Sequence, residues 1–404
     1  MISKGKWLRL WLTAVPFMAG CAGFWNPPAT TSSTGCTTNC TTASSGNFYI
    51  LNGGTSPQIA GEVISSGKLD SISGSPWSLS QFVTPYAMAF APNGNFLYVS
   101  TISGVYVFPV SNGALQTASA ALVSSDTSAL AIAVDTSGKW LIEALQGQNA
   151  VTLAAVPLNA STGGFAGSGE VTATYPVNNA AVRNGQMAVS PDDAHVFVAL
   201  GQGGTLAAPF NAGVSAGGSP FSNTAVTIPP ANSSGSALSV AVDPGGALFY
   251  IGETLAASSG TSLTGGLRAF TLASLGGTLA PVSGSPIASG GTAPNAILPA
   301  SSGAVVYVAN GTSSGGNIAS FSITASSSSS PAYTIAAGAA GSTIAAGTQP
   351  VSLAIDSTGA FLLAVNASGT PELSTYTFGA TPGALVTQIT ANTGASPMQI
   401  LALP

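Results

Sequence analysis

Short apolar runs of four to seven residues recur along the chain, and each is bounded by Gly, Pro, Asn or Asp. Runs that are apolar at nearly every position, and too short for helices, predict β-strands buried on both faces. Residues 85–90 and 96–99 form one such pair around a Pro-Asn-Gly turn. Lys and Glu, which favour helices, are scarce, whereas Gly and Pro are frequent. The pattern therefore predicts an all-β fold.

The turn between paired runs recurs at a regular interval. After Gly94, its copies lie at 135–138, 190–193, 243–246, 300–303 and 356–359. Five steps separate Gly94 from Gly359, which gives a period of 53 residues. A unit of about 50 residues accommodates about four short strands, which is the content of one β-propeller blade. Asp opens the turn at 135, 243 and 356, where we expect it to cap the turn.

Six full copies of this unit are visible, and the two ends of the chain supply the parts of a seventh. Residues 48–52 match the second strand of the unit, and residues 397–403 match the first strand. We therefore predict one seven-bladed β-propeller over residues 47–404, closed by pairing of the C-terminal and N-terminal strands. Six or eight blades are the alternatives if one divergent segment is misassigned.

The N-terminus has the organisation of an export signal. Residues 1–20 contain three basic residues and then an apolar run of 11 residues, which is too short for a membrane span. Met18–Cys21 resembles a bacterial lipobox, with Met18 where Leu is usual. The resemblance implies a lipidated Cys21 and an exported protein anchored in the bacterial envelope, at the outer membrane or the periplasmic face. Ordinary secretion with cleavage nearby is the alternative.

Residues 21–46 form a Pro/Ser/Thr-rich segment, which we interpret as a tether. An oxidising compartment favours a disulfide between Cys36 and Cys40; two free thiols or a metal site are the alternatives. The chain has 3 Cys and 1 His, so a four-ligand zinc site is not expected. We expect neither a metal nor a cofactor.

Charge narrows the range of partners. Cleavage of the signal peptide removes three of the 7 basic residues, which leaves four cations against 12 acidic residues and a net charge of −8. Nucleic-acid binding needs clustered Lys and Arg, so this class of function is excluded. We expect a monomer that contacts the membrane through its lipid alone, with a small molecule or an envelope component as partner.

The unit Pro-x-x-apolar-Ala-Phe-x-Pro-x-Gly-x-x-x-Tyr-Val, at residues 85–99, resembles the lactonase-family seven-bladed propellers. That family includes 6-phosphogluconolactonase and related cycloisomerases, and the resemblance covers residues 47–404. Its members carry a Pro-Arg-His frame before an innermost strand. Here the frame has lost Arg and His, and its middle residue is Tyr86, Leu238, Asn295 or Val351 in four of the blades.

The family's Asn-Glu position is better preserved. The resemblance implies a general base at Glu253, and Asn52, Asn310 and Asn366 occupy the same strand-end position in other blades. A lactonase also needs a cation or donor for the developing oxyanion, and Arg183 and Arg268 are the candidate arginines.

Two further titratable residues stand inside the repeat. His195 is the only histidine; it falls where Phe96, Trp140 and Phe361 lie in other copies, so a packing role is favoured over a catalytic one. Glu143 stands where other copies have Val or Ile. It marks either the channel or a buried contact, with Lys139 as the nearby candidate partner.

The leading functional hypothesis is a non-catalytic binding or interaction module, because catalytic side chains are scarce. A lactone hydrolase or cycloisomerase, with Glu253, Arg183 and His195 as site residues, is the first alternative. A purely structural surface lipoprotein is the second.

Overall fold

The computed structural model describes residues 46–404 apart from 66–67, 80–83, 168, 215–217, 257–262, 313–314, 327–331, 339–342 and 394–395. Cys21, Cys36 and Cys40 lie outside the described residues, and so do the predicted signal peptide and nearly all of the tether. No helix in the described ranges is long and apolar enough to cross a membrane. Helical structure there consists of two 3-10 turns, Thr117–Ser119 and Leu272–Gly276.

The strands form seven antiparallel sheets, which are the blades of a propeller. The first four strands belong to blade 7: β1 (Gly46–Asn52), β2 (Gln58–Ser65), β3 (Lys68–Ser71) and β4 (Trp77–Ser78). Blade 1 contains β5 (Pro85–Phe90), β6 (Phe96–Thr101), β7 (Gly104–Ser111), β8 (Ala114–Leu115) and β9 (Ala121–Ser124). Blade 2 contains β10 (Ala129–Val134), β11 (Trp140–Gln146), β12 (Ala150–Pro157) and β13 (Val171–Pro176). Blade 3 contains β14 (Met187–Val189), β15 (His195–Ala199), β16 (Thr205–Pro209) and β17 (Val226–Ile228).

The remaining blades follow the same order. Blade 4 contains β18 (Ser236–Val242), β19 (Leu248–Ala256), β20 (Leu263–Thr271) and β21 (Ile287–Ala288). Blade 5 contains β22 (Ala293–Pro299), β23 (Val305–Thr312), β24 (Gly315–Ala325), β25 (Tyr333–Ala337) and β26 (Thr343–Ala346). Blade 6 contains β27 (Thr348–Ile355), β28 (Phe361–Ser368), β29 (Leu373–Phe378) and β30 (Leu385–Ala391). The last strand, β31 (Pro397–Ala402), completes blade 7.

The ring closes as the sequence predicts. Strand β31 is the innermost strand of blade 7 and pairs antiparallel with β1, so that Ile50 lies opposite Ile400. Both of these side chains are fully buried. The prediction of seven blades, with the two ends of the chain sharing one blade, is confirmed.

Seven apolar clusters lie between the blades, one at each interface. Successive strand residues contribute to opposite interfaces: on β11, Leu141 packs between blades 1 and 2, and Ile142 packs between blades 2 and 3. Because side chains alternate across a strand, burial of both faces requires apolar residues at consecutive positions. This packing explains the continuous apolar runs.

The recurring turn has one backbone geometry. Its fourth residue has φ between 67° and 71° in five blades, where it is Gly, and 53° in blade 3, where it is Asp193. Left-handed backbone favours Gly and tolerates Asp, so the sequence agrees with the conformation. The opening Asp caps the turn as predicted: the Asp135 carboxylate accepts from the Trp140 N–H at 2.6 Å, and that of Asp356 accepts from the Phe361 N–H at 2.7 Å.

Candidate functional site

The innermost strands are bent by β-bulges near their starts. In six blades the register shifts by one residue at this point, and the extra residues are Tyr86, Leu130, Leu238, Asn295, Val351 and Met398. A bulge re-aims the side chain of the extra residue. Each of these residues takes the middle position of the frame in which the lactonase family carries Arg.

Four of these residues line a cavity of about 370 Å³ on the axis of the ring, namely Leu238, Asn295, Val351 and Met398. Ala367 and Pro397 complete the apolar part of its wall. Blade 3 contributes Val182, Arg183, Asn184 and Gln186. The cavity therefore has an apolar side, made by blades 4, 6 and 7, and a polar side made mainly by blade 3.

Blade 3 departs from the other blades because its inner strand begins late. Arg183 N–H donates to the Ala199 carbonyl at 3.1 Å, and Ala199 N–H donates to the Gln186 carbonyl at 3.1 Å. Both ends of this segment thus bond to one residue, and the residues between them loop out towards the axis. Arg183 is exposed and makes no side-chain hydrogen bond or ion pair within the described part of the chain. Its guanidinium is available to a ligand.

Gln399 follows Pro397 and Met398, which line this cavity, and bridges two blades. Its amide reaches from blade 7 to blade 1, where it accepts from the Met88 N–H at 2.7 Å and donates to the Met88 carbonyl at 3.1 Å. Gly185 of blade 3 lies against the same amide, since a Cβ at Gly185 would come within 3.4 Å of it. Gln399 therefore connects blades 7 and 1 and approaches the blade 3 segment that contributes Arg183.

Glu253 lies in the interface between blades 3 and 4. Its side chain is fully buried, and its Oε1 lies 2.8 Å from Nε of Arg268. Its Oε2 accepts from the Ala231 N–H at 3.1 Å. Burial raises the pKa of Glu253, and the Arg268 guanidinium opposes that rise. Among the described residues, the cation at Glu253 is thus Arg268, and Glu253 does not line the axial cavity.

Arg268 makes two further contacts besides its ion pair with Glu253. Its Nη2 donates to the Pro229 carbonyl at 2.8 Å, and its guanidinium carbon lies 5.4 Å from the centre of the Phe270 ring. Glu253 on β19 and Arg268 on β20 are therefore bonded to each other and also to the segment that leads into blade 4. The equivalent Asn residues also tie loops: the Nδ2 groups of Asn52, Asn310 and Asn366 donate to the carbonyls of Thr393, Ser289 and Pro371.

His195 lies at the opposite end of its strand from the cavity. Four residue steps along β15 separate it from Ala199, a span of roughly 13 Å. Its backbone N–H donates to Ser190 Oγ at 2.9 Å, and its ring contacts Phe197 with 6.1 Å between centroids. Burial lowers the pKa of His195, and Asp192 opposes this change. The structure does not bring Glu253, Arg183 and His195 together, and their catalytic roles stay a prediction.

A second cavity, of about 260 Å³, lies between blades 5 and 6. Its wall includes Val305, Tyr307, Ile355 and Phe378, and Tyr307 is the only titratable side chain among its described lining residues. Burial raises the pKa of Tyr307 to about 12, so this phenol is a poor acid–base group at neutral pH. The axial cavity is the better candidate site because it combines a free cation with amide groups.

Arg183 was identified from the sequence as a candidate site residue, but the cavity that it lines was not predicted. The bulges and the loop at 183–186 depend on strand register, which leaves little trace in one sequence. One sequence signal could have indicated the cavity. The middle residue of the Pro-Arg-His frame recurs at the same position of the repeat but differs in chemistry, being Tyr86, Leu238, Asn295 or Val351.

Three solved structures resemble this chain over about nine-tenths of its length. A candidate 6-phosphogluconolactonase from Bacteroides fragilis has a TM-score of 0.61 and 15% identity, over 91% of this chain and 100% of that one. The periplasmic gluconolactonase PpgL of Pseudomonas aeruginosa has a TM-score of 0.60 and 16% identity, over 89% and 99%. A protein from Lactobacillus plantarum has a TM-score of 0.60 and 15% identity, over 89% and 100%.

The chain shares the fold of the 6-phosphogluconolactonase-like seven-bladed propellers. At this level of identity the likeness establishes the fold and leaves the activity to be argued from the site. No protein-family model and no curated protein matches the sequence.

Proposed function

We propose that the protein is a binding protein, and that its ligand occupies the axial cavity with Arg183 as the anchoring group. The observation that carries this proposal is the exposed guanidinium of Arg183, which has no partner among the described residues and lies at the polar side of a cavity of about 370 Å³. Small-molecule sites have volumes of about 300–1,000 Å³ and combine an apolar wall with few, well-placed polar groups. The cavity has this composition.

The lining residues limit the ligand. Arg183 offers a planar fork of N–H donors that suits one carboxylate, and Asn184, Gln186 and Asn295 offer amides for hydroxyl or carbonyl groups. One cation cannot neutralise a doubly charged phosphate and a second acidic group together. We therefore propose a small polar molecule with at most one negative charge and an apolar edge that packs against Leu238, Val351 and Met398.

Lactone hydrolysis is the second candidate, because two of the structural neighbours carry gluconolactonase descriptions. In that case Arg183 would stabilise the oxyanion, and a base would have to activate water. Glu253 is engaged with Arg268 and buried, and no carboxylate or imidazole occurs among the described residues that line the cavity. These features favour binding over hydrolysis.

An envelope location fits either function. The periplasmic neighbour supports export. The lipobox-like Met18–Cys21 supports the further proposal that a lipid on Cys21 holds the propeller at a membrane. Metabolic labelling with a fatty acid, compared between the wild type and Cys21→Ala, tests the anchor.

The decisive experiment measures ligand binding to the purified protein by calorimetry. A panel of sugar monocarboxylates and neutral sugars would be titrated into the wild type, Arg183→Gln and Lys139→Gln, which removes an exposed cation away from the cavity. We expect Arg183→Gln to weaken carboxylate binding about tenfold or more, as is typical for loss of a charged hydrogen bond, and Lys139→Gln to leave it unchanged. Equal affinity in all three proteins would rule the site out.

Hydrolysis is tested on the same preparations. Release of acid from sugar lactones above the buffer rate, lost in Arg183→Gln and in Glu253→Ala, would replace the binding function with the lactonase function. Binding without turnover would support the proposal.

A further inference from the structure

One carboxyl group stands in an otherwise apolar interface between blades 1 and 2. Glu143 lies on β11 at the position that Val99, Ile251 and Val308 take in other blades, and it is fully buried. Its neighbour on the same face, Leu141, belongs to the apolar cluster of this interface. Burial of a carboxylate at such a position costs far more free energy than burial of the valine or isoleucine found in other blades, unless the carboxylate is paired or carries a proton.

The groups that meet Glu143 do not supply a cation. Ser124 Oγ, at the end of β9 in blade 1, donates to Glu143 Oε2 at 3.3 Å. Glu143 Oε1 is buried and has no partner among the described residues. Lys139, the partner expected from the sequence, is exposed and makes no ion pair with Glu143, so that expectation is wrong.

A second carboxyl group with the same deficit lies beside it. Asp126 lies in the connection between blades 1 and 2, and its N–H donates to Ser124 Oγ at 3.1 Å. Its Oδ2 is also buried and has no partner in the part of the chain that the structure describes. The Ser124 hydroxyl joins the two residues, because it donates to the Glu143 carboxyl group and accepts from the Asp126 N–H. Two ionised carboxylates can only accept, whereas one proton between them satisfies both orphaned oxygens.

The remaining titratable group of this cluster is Glu170, which precedes β13 in blade 2. Burial, and then the charges of Asp126 and Glu170, raise the pKa of Glu143 well above its ordinary value. The Glu170 side chain is exposed, and partial desolvation and the charge of Asp126 raise its pKa. Every charged group identified around Glu143 is acidic, so the surroundings favour retention of a proton.

We propose that Glu143 and Asp126 share one proton and act as a pH-sensitive clasp between blades 1 and 2. The proton resides on Glu143 Oε1 and is donated to Asp126 Oδ2. Its loss to solvent leaves two negative charges facing each other in a buried interface. The clasp then opens, and the connection at residues 125–128 separates from β11.

The direction of the pH effect follows from linkage. The folded protein binds this proton more tightly than the unfolded chain, in which Glu has a pKa of about 4.5. The stabilisation is therefore fully present below that value and is lost as the pH rises through the raised pKa of the folded state. Within this window, each pH unit lowers the ratio of folded to unfolded protein by up to about tenfold.

The test is thermal unfolding of the full-length protein from about pH 5 to about pH 9, in the wild type and two matched variants. Glu143→Gln retains a donor for Asp126 and cannot titrate, so the alkaline loss of stability should be absent. Asp126→Asn supplies an N–H donor to an ionised Glu143, so the loss should also shrink. An infrared carbonyl band from a protonated carboxyl group should appear in the wild type at neutral pH and be missing in Glu143→Gln.

Three results would overturn the proposal. The first is an alkaline destabilisation that persists unchanged in Glu143→Gln. The second is the absence of a protonated-carboxyl band that depends on Glu143. The third is stabilisation of the wild type by Ca²⁺ at alkaline pH that is lost in both variants, because a bound cation would then take the place of the proton.

Discussion

Nε of Arg268 lies 2.8 Å from Oε1 of Glu253, and the two side chains are 10% and 0% exposed. A carboxylate that the lactonase resemblance offers as a general base is thus the partner of a buried cation. A buried pair of this kind is weak evidence for stability, but removal of one partner leaves the other charge unpaired and is strongly destabilising.

Glu253→Gln should therefore lower the free energy of unfolding by about 3–5 kcal/mol, measured by urea denaturation. The double variant Glu253→Leu/Arg268→Met should recover most of this loss, because it removes both charges. Arg183→Gln, at an exposed position, should stay within about 0.5 kcal/mol of the wild type. A Glu253→Gln protein as stable as the wild type would show that the pair contributes nothing at this interface.

Gly185→Ala should destabilise the protein and alter the axial cavity. Gly185 has φ of 68°, where an L side chain costs about 1–2 kcal/mol, and an added Cβ would lie 3.4 Å from the Gln399 amide, in van der Waals contact with it. The matched control is Gly276→Ala, because a Cβ there meets nothing within 4 Å and φ is not in the left-handed region. Thermal melts of the two variants should differ by several degrees, and equal melts would contradict this assignment.

Asp135→Ala should cost about 1–2 kcal/mol, because the Trp140 N–H loses a charged acceptor. The chain contains its own reference for this change: blade 5 has Ala300 at the same turn position and still closes the turn, with a bond of 2.9 Å from the Gly303 N–H to the Ala300 carbonyl. We therefore expect a stable variant with a lower urea midpoint. Failure of Asp135→Ala to fold would assign Asp135 a role that Ala300 cannot fill.

Deletion of residues 397–404 should abolish cooperative unfolding. The deletion removes β31, whose Ile400 is fully buried, and exposes the edge of β1. The control is deletion of Pro404 alone, which leaves the bond from the Leu403 N–H to the Asn47 carbonyl at 2.9 Å. Calorimetry distinguishes the two, because only the control should show a single transition like that of the full chain.

The sequence predicted the fold down to the number of blades, whereas it indicated only some of the residues at the candidate site. The blade count, the shared seventh blade and the capping role of Asp135 and Asp356 are confirmed. The turn shows why this was possible. Its left-handed residue is Gly in five blades and Asp193 in blade 3, and both residue types are compatible with that conformation. Turn chemistry and strand burial depend on nearby residues, and the same pattern recurs in each repeat.

The architecture can be predicted from the sequence, because a period of 53 residues and runs that are apolar at consecutive positions allow few other packings. Contacts between polar groups of different strands and blades could not be predicted in this way. Arg268 reaches Glu253, and Ser124 joins Glu143 to Asp126, through strand register and blade packing. The bulges turn Asn295 and Met398 towards the axial cavity. Such contacts depend on side-chain direction across interfaces between chain segments, and a single sequence does not record that geometry.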